Sequence, residues 1–369
     1  MTDRLTETFL DLVRIDSPTG YEGAVARFIA SALTAAGCDV RFDGTQAETG
    51  ADTGNLIAVL PATGSGKTVA FSAHMDCVAP CSGVEPVVRD GVVYSAGDTV
   101  LGGDDKSGVA AIIELVRRLS EGGEPYPEVH VVLTVAEENG LLGAKALDPA
   151  DCTADLCLVL DAAGDVGGIV TAAPTHYTFR AVFSGRSAHA GVEPERGVSA
   201  VAMAAHAIAS MELGRLDAET TANIGTVRGG SATNVVAPAC EVTGECRSLD
   251  HERAGAVRDA MEAALHAAAD EFGGSVEVTW KLEYEGFCFD DDSPEIALVS
   301  AACADIGVTP RLFKTGGGSD GNILSAKGAP TLVLSSGMTD VHSPDESLDL
   351  RQLALLVDLL GAIVLRAAV

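Results

Sequence analysis

Nine side chains could do hydrolytic chemistry: His74 and Asp76, the pairs Asp104-Asp105 and Glu137-Glu138, then Asp161 and His342, with His189 in a separate Ser-Ala-His-Ala-Gly segment. Imidazoles and carboxylates are donors for divalent cations such as zinc, and cobalt or manganese could fill the same donor set. Most of them stand where an apolar run stops. Thr68 to Ala73 ends in His74, Val129 to Ala136 runs into Glu137 and Glu138, and Leu156 to Leu160 delivers Asp161. A carboxylate at the end of a buried run is costly unless a charged partner awaits it. The pattern points to a catalytic metal site with two ions.

Such chemistry needs elements that gather distant residues. Continuous runs rich in Val, Leu and Ile suit strands covered on both faces, and open parallel sheets bind ligands beyond the carboxyl ends of their strands. Helical periodicity falls at Leu5 to Ile15, Gly23 to Ala36, Ser107 to Ser120, Val198 to Met211, Ala254 to Phe272, Pro294 to Ile306 and Leu350 to Ala368. Between about Thr175 and Glu285 the texture changes. Strand patterns at Tyr177 to Phe183, Ala222 to Val227, Ala239 to Arg247 and Val276 to Tyr284 surround two alanine-rich helices. The expected architecture is α/β with a mainly parallel sheet and an inserted α+β unit. The predicted divisions are 1–174 and 286–369 for the catalytic domain and 175–285 for the insert.

Composition narrows the partners. The 369 residues carry 53 acidic and 24 basic side chains, a formal charge of −29. That balance repels nucleic acid and anionic membranes. No run reaches the ~18 apolar residues of a spanning helix, and residues 1–15 lack the basic and apolar regions of a secretory leader. A cytoplasmic protein is expected. Nine scattered cysteines without a C-x-x-C pair read as reduced thiols; Cys77 and Cys81 beside His74 mimic a thiolate zinc site, but oxygen donors nearby already suffice. Gly64-Ser-Gly-Lys-Thr68 mimics a phosphate loop, yet Pro61 stands where its first glycine is required and a strand follows instead of a helix. His130, His176, His206, His251 and His266 are read as packing or surface residues.

Taken together, His74-Met-Asp76, Gly102-Gly-Asp-Asp-Lys-Ser-Gly108, Ala136-Glu-Glu-Asn-Gly-Leu-Leu-Gly143, Ser187-Ala-His-Ala-Gly191 and the His342 segment resemble the M20 family of metallopeptidases, its peptidase T-like branch above all. The resemblance spans nearly the whole chain. It implies a two-zinc catalytic domain carrying an inserted lid or dimerisation domain, a short-peptide substrate, and allows a homodimer joined through the insert. It also implies that Asp104 bridges both ions, with His74 and Asp161 on one and Glu138 and His342 on the other, and that the Asp104–Asp105 peptide is cis. Asp76, two residues past His74, is placed to orient that imidazole. Glu137 then falls to the general base. In the insert, the resemblance makes His189 an oxyanion donor and gives substrate binding to Asn234 and Arg247; beyond it, the Gly316-Gly317-Gly318 loop is assigned to substrate binding as well. The resulting expectation is a tripeptide aminopeptidase. The alternatives are an M20 amidohydrolase that deacylates N-acyl amino acids and, more remotely, a metal-dependent binding protein without catalysis.

Overall fold

Residues 4–368 are described by the computed structural model. The chain forms two compact units. The first runs to Thr171 and takes in Phe289–Lys314 and the chain from Ser319 onward; the second is Ala172–Cys288 with Thr315–Gly318. The chain after the insert therefore contributes to both units, because the four-residue glycine loop packs with the second.

The first unit is built on a twisted sheet ordered Asp39–Phe42, Leu56–Leu60, Val129–Thr134, Val69–His74, Leu156–Ala162, Thr331–Ser335 and Gly168–Ala173, with Arg311–Lys314 pairing to the last. Its four central strands, from Val129–Thr134 to Thr331–Ser335, are parallel. The flanking strands pair antiparallel. Every residue of Val69–His74 is buried, which is why that strand shows no regular alternation of polar and apolar residues. Helix Gly103–Glu121 lies on this strand and also meets helices Arg4–Arg14 and Leu350–Ala367. Its stretch Val109 to Val116 is buried throughout, so the apolar centre Val-Ala-Ala-Ile-Ile is a packing surface. Helices Gly23–Ala35 and Pro294–Asp305 complete the cover.

A four-stranded antiparallel sheet of Met338–Thr339, Ser347–Asp349, Val92–Ser95 and Pro86–Arg89 was not expected from the sequence. Strands of two to four residues are too short to show a period of two. This sheet frames the segment that carries His342, which lies between its first two strands.

The second unit is a five-stranded antiparallel sheet ordered Gly214–Arg215, Thr220–Gly229, Ala239–Ser248, Thr175–Ser184 and Ser275–Tyr284. One face packs on helices Ala200–Ser210 and His251–Phe272 through Phe183, Val242, Met203, Met261 and Leu265. Burial alternates along Thr175–Ser184 and Ser275–Tyr284, as a sheet with one covered face requires. Alanines at 200, 204, 207, 254, 268 and 269 are buried on the helices, where small side chains let helix and sheet approach closely. Among the described residues no helix is long and apolar enough to cross a membrane.

Candidate metal centre

His74 is the last residue of Val69–His74, and Asp161 lies near the end of Leu156–Ala162. The strand between residues 129 and 136 stops earlier than its composition suggests, at Thr134. Ala136 then adopts a left-handed conformation, φ 50°, which a non-glycine residue rarely does. That turn, rather than the strand itself, presents Glu137 and Glu138. Asp104 and Asp105 open helix Gly103–Glu121 with non-helical backbone, and the peptide between them is cis. His342 sits in a left-handed turn, φ 62°.

These elements converge. His74 Nε2 lies 3.0 Å from Asp104 Oδ1 and 3.9 Å from Asp161 Oδ1, while His342 Nε2 lies 3.2 Å from Asp104 Oδ2 and 2.9 Å from Glu138 Oε1. The two oxygens of one carboxylate thus face two separate donor sets. His74, Asp104 and Asp161 offer atoms within 4.8 Å of one another, as do Asp104, Glu138 and His342, and also His74, Glu137 and Glu138. Neither Cys77 nor Cys81 belongs to such a group; both thiols are buried.

The electrostatics of the bare chain describe a pocket short of positive charge. Burial alone would lower the His74 pKa, but hydrogen bonds to Asp104 and Asp76 raise it well above the ordinary imidazole value. Asp104, despite burial, is held far below the usual carboxylate range by His342 and His74. For Asp161 and Glu137 burial wins: both are pushed well above the ordinary range, Asp161 further by Asp104 and Glu137 further by Asp320. His342 is raised to about 10 by its bonds to Asp104 and Glu138. Four carboxylates therefore share two imidazoles. Divalent cations would satisfy them all, so the donor set fits metal both in ligand type and in charge.

The support beneath the donors is equally specific. A carbonyl oxygen can only accept, so the 3.0 Å contact of His74 Nδ1 with the Asp76 carbonyl places a proton on Nδ1, and in the neutral ring Nε2 is then the nitrogen able to coordinate. The fully buried Asp76 carboxylate also accepts from Thr19 Oγ1 (2.8 Å) and from the backbone N–H groups of Glu137 (3.0 Å) and Glu138 (3.2 Å). Asp76 thereby positions three of the key side chains instead of only His74. Sequence reasoning missed several partners. Glu22 accepts from the N–H of Ala136 at 3.0 Å, Asp320 accepts from Thr134 Oγ1 at 2.5 Å, and Glu346 accepts from the N–H groups of Gly102 and Asp104 at 2.8 Å each. Each looks in the sequence like an ordinary acid in a helix start or polar turn; only for Glu346 is there a hint, its place four residues after His342.

The predicted substrate residues fall in two groups within the second unit. His189 and Asn234 are both exposed, and their loops are joined by the hydrogen bond from Ala190 N–H to the Asn234 carbonyl, 2.9 Å. Arg247 donates to the Glu245 carboxylate (2.9 Å), the Tyr284 hydroxyl (3.3 Å) and the Gly316 carbonyl (3.4 Å). Glu245 also meets His176 Nε2 at 2.8 Å, and His176 with Arg247 hold its carboxyl down at about 2 against the effect of burial. Gly317 is exposed beside this group, while Gly318 backs onto Tyr284, where a Cβ would lie 2.2 Å from the ring.

An α/β unit that collects paired carboxylates and imidazoles at the carboxyl ends of parallel strands defines the class of metal-dependent hydrolases. The family model of Peptidase family M20/M25/M40 matches residues 70–366, and the chain belongs to that family. It is a peptidase-type hydrolase. The chain is 42% identical over 365 residues to the uncharacterised protein YqjE of Bacillus subtilis, covering 99% of this chain and 98% of that one. It is similar to the crystal structure of aminopeptidase PepT from Bacillus cereus, with TM-score 0.94 and 42% identity over 99% of this chain and 98% of the other. A tripeptidase from Staphylococcus aureus has TM-score 0.95 and 37% identity with the same coverage. The mixed α/β architecture matches these structures.

Proposed function

We propose that the protein is a dizinc aminopeptidase of short peptides, with tripeptides as its main substrates. The observation that carries this reading is the Asp104 carboxylate, whose oxygens face His74 on one side and His342 on the other. His74, Asp161 and Asp104 would hold one ion, and Glu138, His342 and Asp104 the other. The pair, when bound, supplies Lewis-acid polarisation of the scissile carbonyl and lowers the pKa of the attacking water.

The chain's own groups supply the rest. Glu137 takes a proton from the attacking water and passes it to the leaving amine; beside two bound cations its carboxylate would be ionised and so able to accept that proton. Asp76 fixes the His74 ring with Nε2 directed at Asp104 and locks the Glu137–Glu138 turn. His189 donates to the developing oxyanion. Arg247, already oriented by Glu245 and Tyr284, recognises the peptide carboxylate, and Asn234 with the Gly317-Gly318 backbone binds the peptide chain. The aminopeptidase named in Bacillus cereus supports the exopeptidase reading, and the tripeptidase named in Staphylococcus aureus supports the choice of tripeptides.

The test is a substrate screen with the zinc- and cobalt-loaded protein: di-, tri- and tetrapeptides with free amino termini against N-acyl amino acids. Tripeptides are expected to be turned over fastest, by release of the amino-terminal residue. Faster hydrolysis of N-acyl amino acids overturns the peptidase reading in favour of a deacylase.

A further inference from the structure

Glu346 is 1% exposed, so its carboxylate has to find its hydrogen-bond partners inside the protein. Its Oε2 accepts the N–H of Gly102 and its Oε1 the N–H of Asp104, both at 2.8 Å. The gripped segment is the turn that aims the Asp104 carboxylate. Gly103, between the two donors, is so close that a Cβ there would lie 3.1 Å from Oε1. Glu346 itself belongs to the segment of His342, closed by the hydrogen bond from Glu346 N–H to the Ser343 carbonyl at 3.1 Å, before the chain enters strand Ser347–Asp349. One buried carboxylate thus ties the backbone of His342's loop to the backbone of Asp104's turn, two segments some 240 residues apart in the chain.

We propose that Glu346 is a positioning residue that sets the separation of the Asp104 and His342 side chains, and so selectively supports the ion held by Asp104, Glu138 and His342. The inference rests on the two-ion reading of the site given above. The other ion depends on Glu346 only through Asp104, because His74 and Asp161 come from sheet strands whose ladder Glu346 does not touch. A glutamine cannot replace the carboxylate: its amide nitrogen would face one of the two N–H groups, and a donor cannot satisfy a donor. Groups that orient metal ligands typically change metal affinity about 10- to 100-fold when removed.

The experiment is zinc titration of the metal-free full chain by calorimetry and by metal analysis after dialysis, for wild type, Glu346→Gln and Gly103→Ala. The second variant leaves Glu346 in place and crowds its carboxylate, with a Cβ 3.1 Å from Oε1, so it carries the test should Glu346→Gln not fold. Wild type is expected to take up two ions. In Glu346→Gln one ion should bind within about threefold of wild type and the other at least tenfold more weakly, with Gly103→Ala showing the same selectivity to a smaller degree. Unchanged affinity for both ions in the folded variants, or equal weakening of both, overturns the role of Glu346. Fewer than two ions in the wild type instead overturns the two-ion reading itself.

Discussion

Replacing Asp76 by asparagine removes a charge and one acceptor from a cage of four donors. In the wild type Oδ1 accepts from Glu137 N–H and stands 3.4 Å from His74 Nδ1, while Oδ2 accepts from Thr19 Oγ1 and Glu138 N–H. If the new NH₂ takes the Oδ2 position, the Thr19 hydroxyl can turn to accept from it, but Glu138 N–H is left facing a donor. In the opposite flip His74 keeps the Asp76 carbonyl, and Glu137 N–H is the one orphaned. Either way one buried donor loses its partner, at about 1–3 kcal/mol. The lost bonds were to a carboxylate whose pKa is depressed: burial opposes, but His74 and Thr19 outweigh it. Bonds to charged groups lie toward the upper end, so about 3 kcal/mol is expected. Urea unfolding of metal-free Asp76→Asn against wild type measures it, and zinc titration of the same samples should show affinity reduced about 10- to 100-fold. Equal urea midpoints together with equal zinc affinity would refute the account of Asp76 as the clamp of this turn.

Three further predictions follow from the same geometry. Glu137→Gln should lower kcat on the best tripeptide on the order of 100- to 10,000-fold with bound zinc unchanged; full activity excludes Glu137 as the base. His342 has its pKa raised from 6.5 to about 10 in the metal-free chain, so the stability it contributes is complete below about pH 6.5 and is lost as pH rises toward 10. Melting of the metal-free protein should therefore fall between pH 7 and 10 and that of the zinc-loaded protein should not, with parallel profiles counting against the assignment. Gly318→Ala places a Cβ 2.2 Å from Cζ of the Tyr284 ring and must displace the hydroxyl to which Arg247 donates. KM for tripeptides should rise with kcat little changed, and an unaltered KM removes Arg247 and its loop from substrate binding.

The legible part of the molecule was that written in local pattern. Helix Gly23–Ala35 and strand Ser275–Tyr284 lie within a residue of their predicted bounds, since a period of 3.6 or 2 sustained over ten residues leaves little ambiguity. The run from Val129 read as a strand to Ala136 because Val-Ala continues its apolar character, yet the chain leaves the sheet after Thr134. What ends it there is not composition but Glu22, Asn55 and Asp76, which capture the N–H groups of Ala136, Val135 and Glu137 from distant segments.

By itself, then, the sequence determined the candidate donors and their placement near the ends of apolar strands, because a carboxylate stopping a buried run needs a charged partner wherever the chain goes. Only the tertiary structure decided that the Asp76 carbonyl faces Nδ1 of His74, and that Glu22, Asp76 and Glu346 grip the turns from behind. Those outcomes depend on hydrogen bonds between segments as far apart as Gly102 and Glu346, whose partners no local periodicity can encode.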